Sequence, residues 1–258
     1  GKESDVKDMI YINDCCLNSN DPNTGAPIVV YNKFNTESRA TIANIGNVLH
    51  TAETTKIGDL VAKFDGNSYL ELTVLPNRGL VFAPGDVSDF TIDFWIKTTQ
   101  ASGTIFEIPD DNLSIVLNNG KLQFLAYGNV AWGYASQLPV NDNVWHHCAF
   151  VSWGFGVPDA VSLSMAFFKD GIKESTNQFT EVMDGSNTAW IGHGIHAPNF
   201  IGYLDEFRVT QRAYWFDNFT PPTIPYNVRG DITGQYPVTT TTGKKTMFVG
   251  DKDIEITY

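Results

Sequence analysis

Phe90-Thr91-Ile92-Asp93-Phe94-Trp95-Ile96-Lys97 alternates with a period of two. Phe90, Ile92, Phe94 and Ile96 fall on one face, and Thr91, Asp93, Trp95 and Lys97 on the other. Successive side chains of an extended backbone point to opposite sides, so this pattern specifies a strand with one face in a core. The same chemistry extends in both directions. Upstream, Leu60-Val61-Ala62-Lys63-Phe64 meets the turn residues Asp65-Gly66-Asn67-Ser68, and Tyr69-Leu70-Glu71-Leu72 follows. Downstream, Leu113-Ser114-Ile115-Val116-Leu117 turns at Asn118-Asn119-Gly120 into Lys121-Leu122-Gln123-Phe124-Leu125. The Asn-Gly step favours positive φ and marks a hairpin. Lys169-Asp170-Gly171 marks a second tight turn. Further strands are expected at 28–31, 104–108, 145–152, 161–168, 188–192 and 200–210, about twelve in all, with one helical turn at 211–216. Tight turns join neighbours antiparallel, and strands of this kind stack as two sheets. The expected fold is all-β, an antiparallel two-sheet jelly-roll sandwich over residues 26–226. Residues 1–25 read as an N-terminal arm, and 227–258 as a C-terminal β extension that either pairs with the domain edge or joins another subunit.

Composition agrees with that class. The chain has 258 residues, 42% of them hydrophobic and only 18% charged, enough for a large core without metals or disulfides. Its net charge of −12 repels phosphate backbones, so no nucleic-acid partner is expected. Cys15, Cys16 and Cys148 are odd in number and two are adjacent, which is not a disulfide framework. Assembly in a reducing cytoplasm follows. No run of 18 apolar residues is present, so no membrane insertion is expected.

The order of motifs resembles a known family. Phe64-Asp65-Gly66-Asn67-Ser68-Tyr69-Leu70, Phe90-Thr91-Ile92-Asp93-Phe94-Trp95, Trp145-His146-His147, Phe168-Lys169-Asp170-Gly171 and Gly202-Tyr203-Leu204-Asp205-Glu206-Phe207-Arg208-Val209 are similar to successive strand motifs of laminin-G-like, concanavalin A-like jelly-roll domains. Asn218-Phe219-Thr220-Pro221-Pro222-Thr223-Ile224-Pro225-Tyr226 resembles the segment after the closing strand in bacteriophage tail and other virion proteins that carry this domain. The resemblance implies a virion-surface location, assembly in a host cytoplasm, other virion proteins as partners and a homo-oligomer. It also implies a structural calcium ion near the early Asp-Gly turn and the closing strand, at Asp65 and Asp205. The residue-level alternatives are an Asx-turn for Asp65, and for Asp205 a pairing with Arg208 or the capping of a backbone N–H.

For a ligand, the aromatic residues come first. Sugar faces stack on rings beside hydrogen-bonding groups, so a host-surface glycan is the expected small ligand. Trp153 and Phe155, in a hairpin-like stretch, and Trp132 and Tyr134, flanking Gly133, are the candidates for glycan or partner contact. Tyr214, Trp215 and Phe216 read as a cover over the sandwich. His147 is expected to face inward and bond a backbone group. His193 and His196 lack a third ligand at suitable spacing for zinc. No catalytic set is found: Asp93 stands alone, Asp205 and Glu206 alternate to opposite faces, and no E-x-D-x-x-E motif is present. A non-enzymatic protein is therefore expected.

Overall fold

In the computed structural model, alternation and tight turns generate eighteen strands among the described residues, which are 9–12, 31–32, 40–57, 61–74, 90–109, 113–125, 134–154, 163–179, 188–210, 213–223, 244–249 and 252–257. The first six are β1 (Met9–Ile12), β2 (Tyr31–Asn32), β3 (Ala40–Ile45), β4 (Leu49–Thr51), β5 (Val61–Asp65) and β6 (Tyr69–Val74). Then come β7 (Phe90–Lys97), β8 (Gly103–Ile108), β9 (Leu113–Asn118), β10 (Lys121–Leu125), β11 (Tyr134–Pro139) and β12 (His146–Gly154). The chain continues with β13 (Leu163–Lys169), β14 (Ile172–Phe179), β15 (Thr188–Ile191), β16 (Ile201–Thr210), β17 (Lys244–Val249) and β18 (Lys252–Thr257). No described residue is helical, so the helical turn expected within 211–216 is replaced by irregular backbone over 213–216. The strand number exceeds the twelve expected because β1, β17 and β18 lie in the expected arm and extension and because β3, β4 and β11 were not placed from the sequence, β4 having only three residues to show a period. Residues 28–30 of the strand expected at 28–31 lie outside the described residues.

A nine-stranded sheet runs β14-β13-β12-β7-β16-β1-β2, with β5 also on β16 and β4 on β5. A seven-stranded sheet runs β11-β10-β9-β8-β15-β6-β3. All the ladders are antiparallel. Strand β1 lies inside the stretch expected to be an arm, yet it pairs with β16 at Ile10↔Val209. Strands β17 and β18 pair with each other as a two-stranded sheet.

The two turns legible in the sequence form as expected. Asn119 and Gly120 adopt φ of 52° and 76° between β9 and β10, and Asp170 and Gly171 adopt 51° and 78° between β13 and β14. Positive φ at both central residues matches the twist of the flanking strands.

The sheets meet through one apolar core. Phe90, Ile92, Phe94 and Ile96 of β7 all lie in it, with Leu70, Leu72, Phe106, Phe124, Phe150 and Phe207. Phe207 stacks on Phe94 at 5.6 Å within its own sheet and meets Phe106 of the opposite sheet at 5.5 Å. Cys148 is buried there as a free thiol, and burial pushes its pKa well up.

Candidate functional site

Each sheet has a second face away from this core, and the two faces differ. On the nine-stranded sheet, Thr91, Asp93 and Trp95 are buried although they point away from the core. Asp93 is not isolated. Its carboxylate accepts from Arg208 Nε at 2.7 Å and lies 3.2 Å from His147 Nε2. Burial drives the Asp93 pKa up, but the Arg208 charge and His147 outweigh it and hold it below the usual value. Here the expectation for His147 is corrected: its partner is a carboxylate on β7, not a backbone group. A roof covers the ion pair. Trp215 stacks on Phe219 at 3.9 Å, His147 meets both rings edge-on, and the Tyr214 ring lies 4.3 Å from the Arg208 guanidinium carbon.

Residues 51–57 cover the other end of this face. Lys63 binds Glu53 at 2.7 Å, Lys97 donates to Thr54 Oγ1, Trp145 Nε1 donates to the Thr54 carbonyl, and Lys56 lies 4.1 Å over Trp95. Asp205 fastens this strap by accepting from the Ile57 N–H at 2.9 Å.

The outer face of the seven-stranded sheet is covered in part and open in part. The pairings Glu71↔Trp190, Trp190↔Glu107 and Glu107↔Ser114 set four polar or amphipathic side chains in one cross-strand row. They face outward because Leu70, Leu72, Ala189, Ile191, Phe106 and Ile108 take the alternate positions in the core. Glu107 is buried and accepts from Ser114 Oγ at 2.9 Å and from the Ile195 N–H at 3.0 Å. It thereby staples residues 192–199 down over β8, where the Thr104 N–H also donates to the Pro198 carbonyl. A Cβ on Gly194 would overlap Glu107 Oε2 and Thr104 Cγ2, so only glycine allows so close an approach.

Beside the staple stands an aromatic ridge. His193 stacks on Tyr69 at 4.4 Å and 23°, and its ring centroid lies 4.8 Å from that of Trp190. Trp190 Nε1 donates to Glu71 Oε2 at 3.1 Å, which fixes the indole. His193 Nδ1 pairs with Asn199 Oδ1 at 2.6 Å. Tyr69, Glu71, Trp190 and His193 are all half-buried, so rings and polar edges reach solvent. Flat apolar faces flanked by hydrogen-bonding groups are what a sugar ring requires.

The profile described as "Concanavalin A-like lectin/glucanases superfamily" matches residues 64–214. The chain belongs to this superfamily. The matched span starts at Phe64 in β5 and ends at Tyr214 in the roof, so it takes in both outer faces. Among solved structures, this concanavalin A-like chain is similar to domain 4 of an extracellular arabinanase from Geobacillus stearothermophilus, in complex with arabinotriose. There the TM-score is 0.51 at 19% identity, over 81% of this chain and 95% of that one. It is also similar to botulinum neurotoxin type C, whose cell entry is dependent upon interaction with two ganglioside molecules (TM-score 0.54, 16% identity, 80% of this chain and 48% of that one). A third is the binding domain of botulinum neurotoxin DC in complex with rat synaptotagmin II (TM-score 0.54, 15% identity, 80% and 48%). The chain thus spans about half the length of the neurotoxin chains, and likeness at these identities shows the shared fold. No match was found among curated protein sequences.

The concanavalin A-like frame places the expected site residues as follows. Trp153, near the end of β12, packs against the buried cluster under the roof, with Phe216 edge-on at 5.4 Å and Lys173 Nζ 5.4 Å from its ring. Its ring is engaged in intramolecular contacts. Tyr134 begins β11 opposite Phe124, and its side chain, with Trp132 and Phe155, lies outside the described residues. Asp65 forms the Asx-turn, accepting from the N–H groups of Asn67 and Ser68 at 2.8 and 2.9 Å. Asp65 pairs with Ile201 and Asp205 with Trp95, four positions further along β16, about 13 Å at strand rise. The structure does not bring the two aspartates together, and no cluster of three metal-ligating side chains occurs among the described residues. His193 and His196 likewise form no such cluster.

The ridge itself was missed by the sequence reading. Its signal was nevertheless present: Tyr69 and Glu71 alternate with Leu70 and Leu72, and Trp190 sits between Ala189 and Ile191.

Proposed function

We propose that the chain is a non-enzymatic recognition domain of a bacteriophage virion, in the tail or on the capsid surface, which binds host-surface glycan through the Tyr69–His193–Trp190 ridge. The observation that carries glycan binding is the ridge: two aromatic rings and an imidazole half-open to solvent, beside the Glu71 carboxylate. Saccharide contact by two solved proteins of this fold supports the same reading. The virion setting is supported by the segment after the closing strand, which resembles virion relatives. Copies displayed by a symmetric particle multiply weak contacts, so an oligomer with millimolar single-site affinity suffices.

Absence of catalysis is supported by the carboxylate geometry. A retaining glycosidase needs two carboxyl groups about 5 Å apart across the scissile bond. Of the two glutamates flanking Trp190, Glu107 is buried with both oxygens engaged, which leaves Glu71 facing solvent.

Glycan-array binding of the full chain tests the reading. Retention of at least one glycan, with loss of about 1–3 kcal/mol of binding on Trp190→Ala, is the expected result. A chain that binds no glycan removes the glycan function, and a Trp190→Ala variant that binds as before removes the ridge as its site. Release of reducing sugar from bound polysaccharide removes the non-enzymatic part.

A further inference from the structure

This inference rests on the glycan reading of the ridge and specifies its ligand. The deciding feature is which hydrogen-bonding valences the ridge leaves open. Trp190 Nε1, a donor, is already engaged by Glu71 Oε2. Asn199 Oδ1 lies 2.6 Å from His193 Nδ1, and an amide oxygen can only accept, so the hydrogen is on Nδ1. A neutral imidazole protonated at Nδ1 presents a lone pair at Nε2. Nε2 makes no hydrogen bond with any described residue and is not enclosed. The carboxylate of Glu71 also only accepts. His193 Nε2 and the Glu71 carboxylate are therefore acceptors beside the aromatic faces, the Tyr69 hydroxyl is the ridge group left able to donate, and the chain carries a net charge of −12.

We infer that the ridge takes a neutral glycan, one sugar of which lays its apolar face on Trp190 and donates a hydroxyl to His193 Nε2, and that glycans bearing sulfate or carboxylate are rejected. Asn199 acts as a positioning residue, because it sets the tautomer that makes Nε2 an acceptor. An anionic sugar substituent would face the Glu71 carboxylate, with no Lys or Arg among the ridge residues and only the neutral Tyr69 hydroxyl able to donate to it. Like charges brought together at an interface oppose binding strongly.

The full chain is titrated with neutral oligosaccharides of glucose, galactose, mannose and N-acetylglucosamine, with the same backbones carrying sulfate or uronate, and with monodeoxy analogues of the best neutral binder. The neutral forms are expected to bind, and each acidic counterpart at least about tenfold more weakly. One deoxy analogue should weaken wild type by about tenfold yet bind His193→Phe no worse than the parent sugar does, since that variant keeps the ring stack but has no acceptor to lose. His193→Gln, which keeps an acceptor near the Nε2 position, should recover part of the affinity. If acidic glycans bind as well as neutral ones, or His193→Phe remains sensitive to the same deoxy position, the inference fails while Trp190-dependent binding stands. If wild type binds no glycan at all, both fall together. Should His193→Phe fail to fold, the neutral-against-acidic comparison on wild type decides alone.

Discussion

The two outer faces of the sandwich are built from the same kinds of residue and end in opposite states. The nine-stranded sheet carries Asp93, Arg208, His147, Trp95 and Trp153 on its outer face, a set that in isolation looks like a site. The seven-stranded sheet carries Tyr69, Glu71, Trp190 and Glu107. On the first, residues 51–57 and 213–219 lie across the face and turn its polar groups into a buried second core. On the second, the staple at Glu107 covers only the end over β8 and leaves the ridge half-open. Residue chemistry does not distinguish a site from a seam here. What lies over the residues does.

The largest effect should come from breaking the closed face. Arg208→Ala leaves the Asp93 carboxylate buried without its guanidinium, and removal of one partner from a buried pair costs about 3–5 kcal/mol. Urea denaturation should show the midpoint falling with the slope unchanged, while the folded fraction keeps its glycan affinity. A drop below about 1 kcal/mol would mean that the roof does not exclude water from the pair.

The open face should respond in the other way. Gly194→Ala forces the 192–199 segment off Glu107, because the added Cβ has no space against Glu107 Oε2. Overpacking of this kind costs about 1–3 kcal/mol. The same movement carries His193 away from Tyr69, so glycan affinity should fall with stability. Lowered stability with unchanged affinity would separate the staple from the ridge.

A smaller effect is set by pH at the end of β12. His146 lies between Asp170 at 2.7 Å and Asp142 at 3.0 Å. The hydrogen bond to Asp170, against the opposing effect of burial and with help from Asp142, raises the His146 pKa. Burial raises the pKa of Asp142 and Asp170, but hydrogen bonds outweigh it and leave both lowered. The stability from His146 is fully present below its unfolded pKa of about 6.5 and fades as pH rises through the higher folded value. The carboxylate contribution is present above about pH 4 and fades as pH falls through the lowered folded values. Stability from this clamp should therefore be greatest between about pH 4 and 6.5. Both carboxylates are about half exposed, so solvent limits the effect to about 1 kcal/mol or less. Denaturation midpoints of His146→Gln should lose the decline above pH 6.5; an unchanged decline would assign it to another group.

How far the sequence reaches follows from the same contrast. Strand β7, the turns at 118–121 and 169–172 and the Asx-turn of Asp65 depend on residues within a few positions, and all were legible. Asp93 read as isolated because Arg208 lies 115 positions away and His147 lies 54. Glu71 and Trp190 are 119 apart, so alternation could mark each as outward-facing but could not place them side by side. The cover over each face is harder still. Residues 51–57 and 192–199 have no period, and their position depends on single contacts such as Asp205 with the Ile57 N–H.

Trp153 gives the smallest expected change in binding and the most direct test of the contrast. From the sequence it is the better glycan candidate, an indole beside glycines in a hairpin-like stretch, whereas Trp190 reads as an ordinary strand residue. In the fold, the Trp153 ring has Phe216 against it and Lys173 over it, and Lys173 is itself held by the Phe216 carbonyl at 2.7 Å. Trp153→Ala removes an edge-to-face contact and a cation–π contact, worth about 1–2 kcal/mol of stability together. Glycan affinity should change by less than about twofold, since the ring lies on the sheet opposite the ridge. Paired with Trp190→Ala, the two substitutions should show a crossed pattern, one lowering the unfolding midpoint and the other the affinity. If Trp153→Ala abolished binding in a folded protein, the recognition face would be the roofed one, and the cover over it would have to open for the ligand.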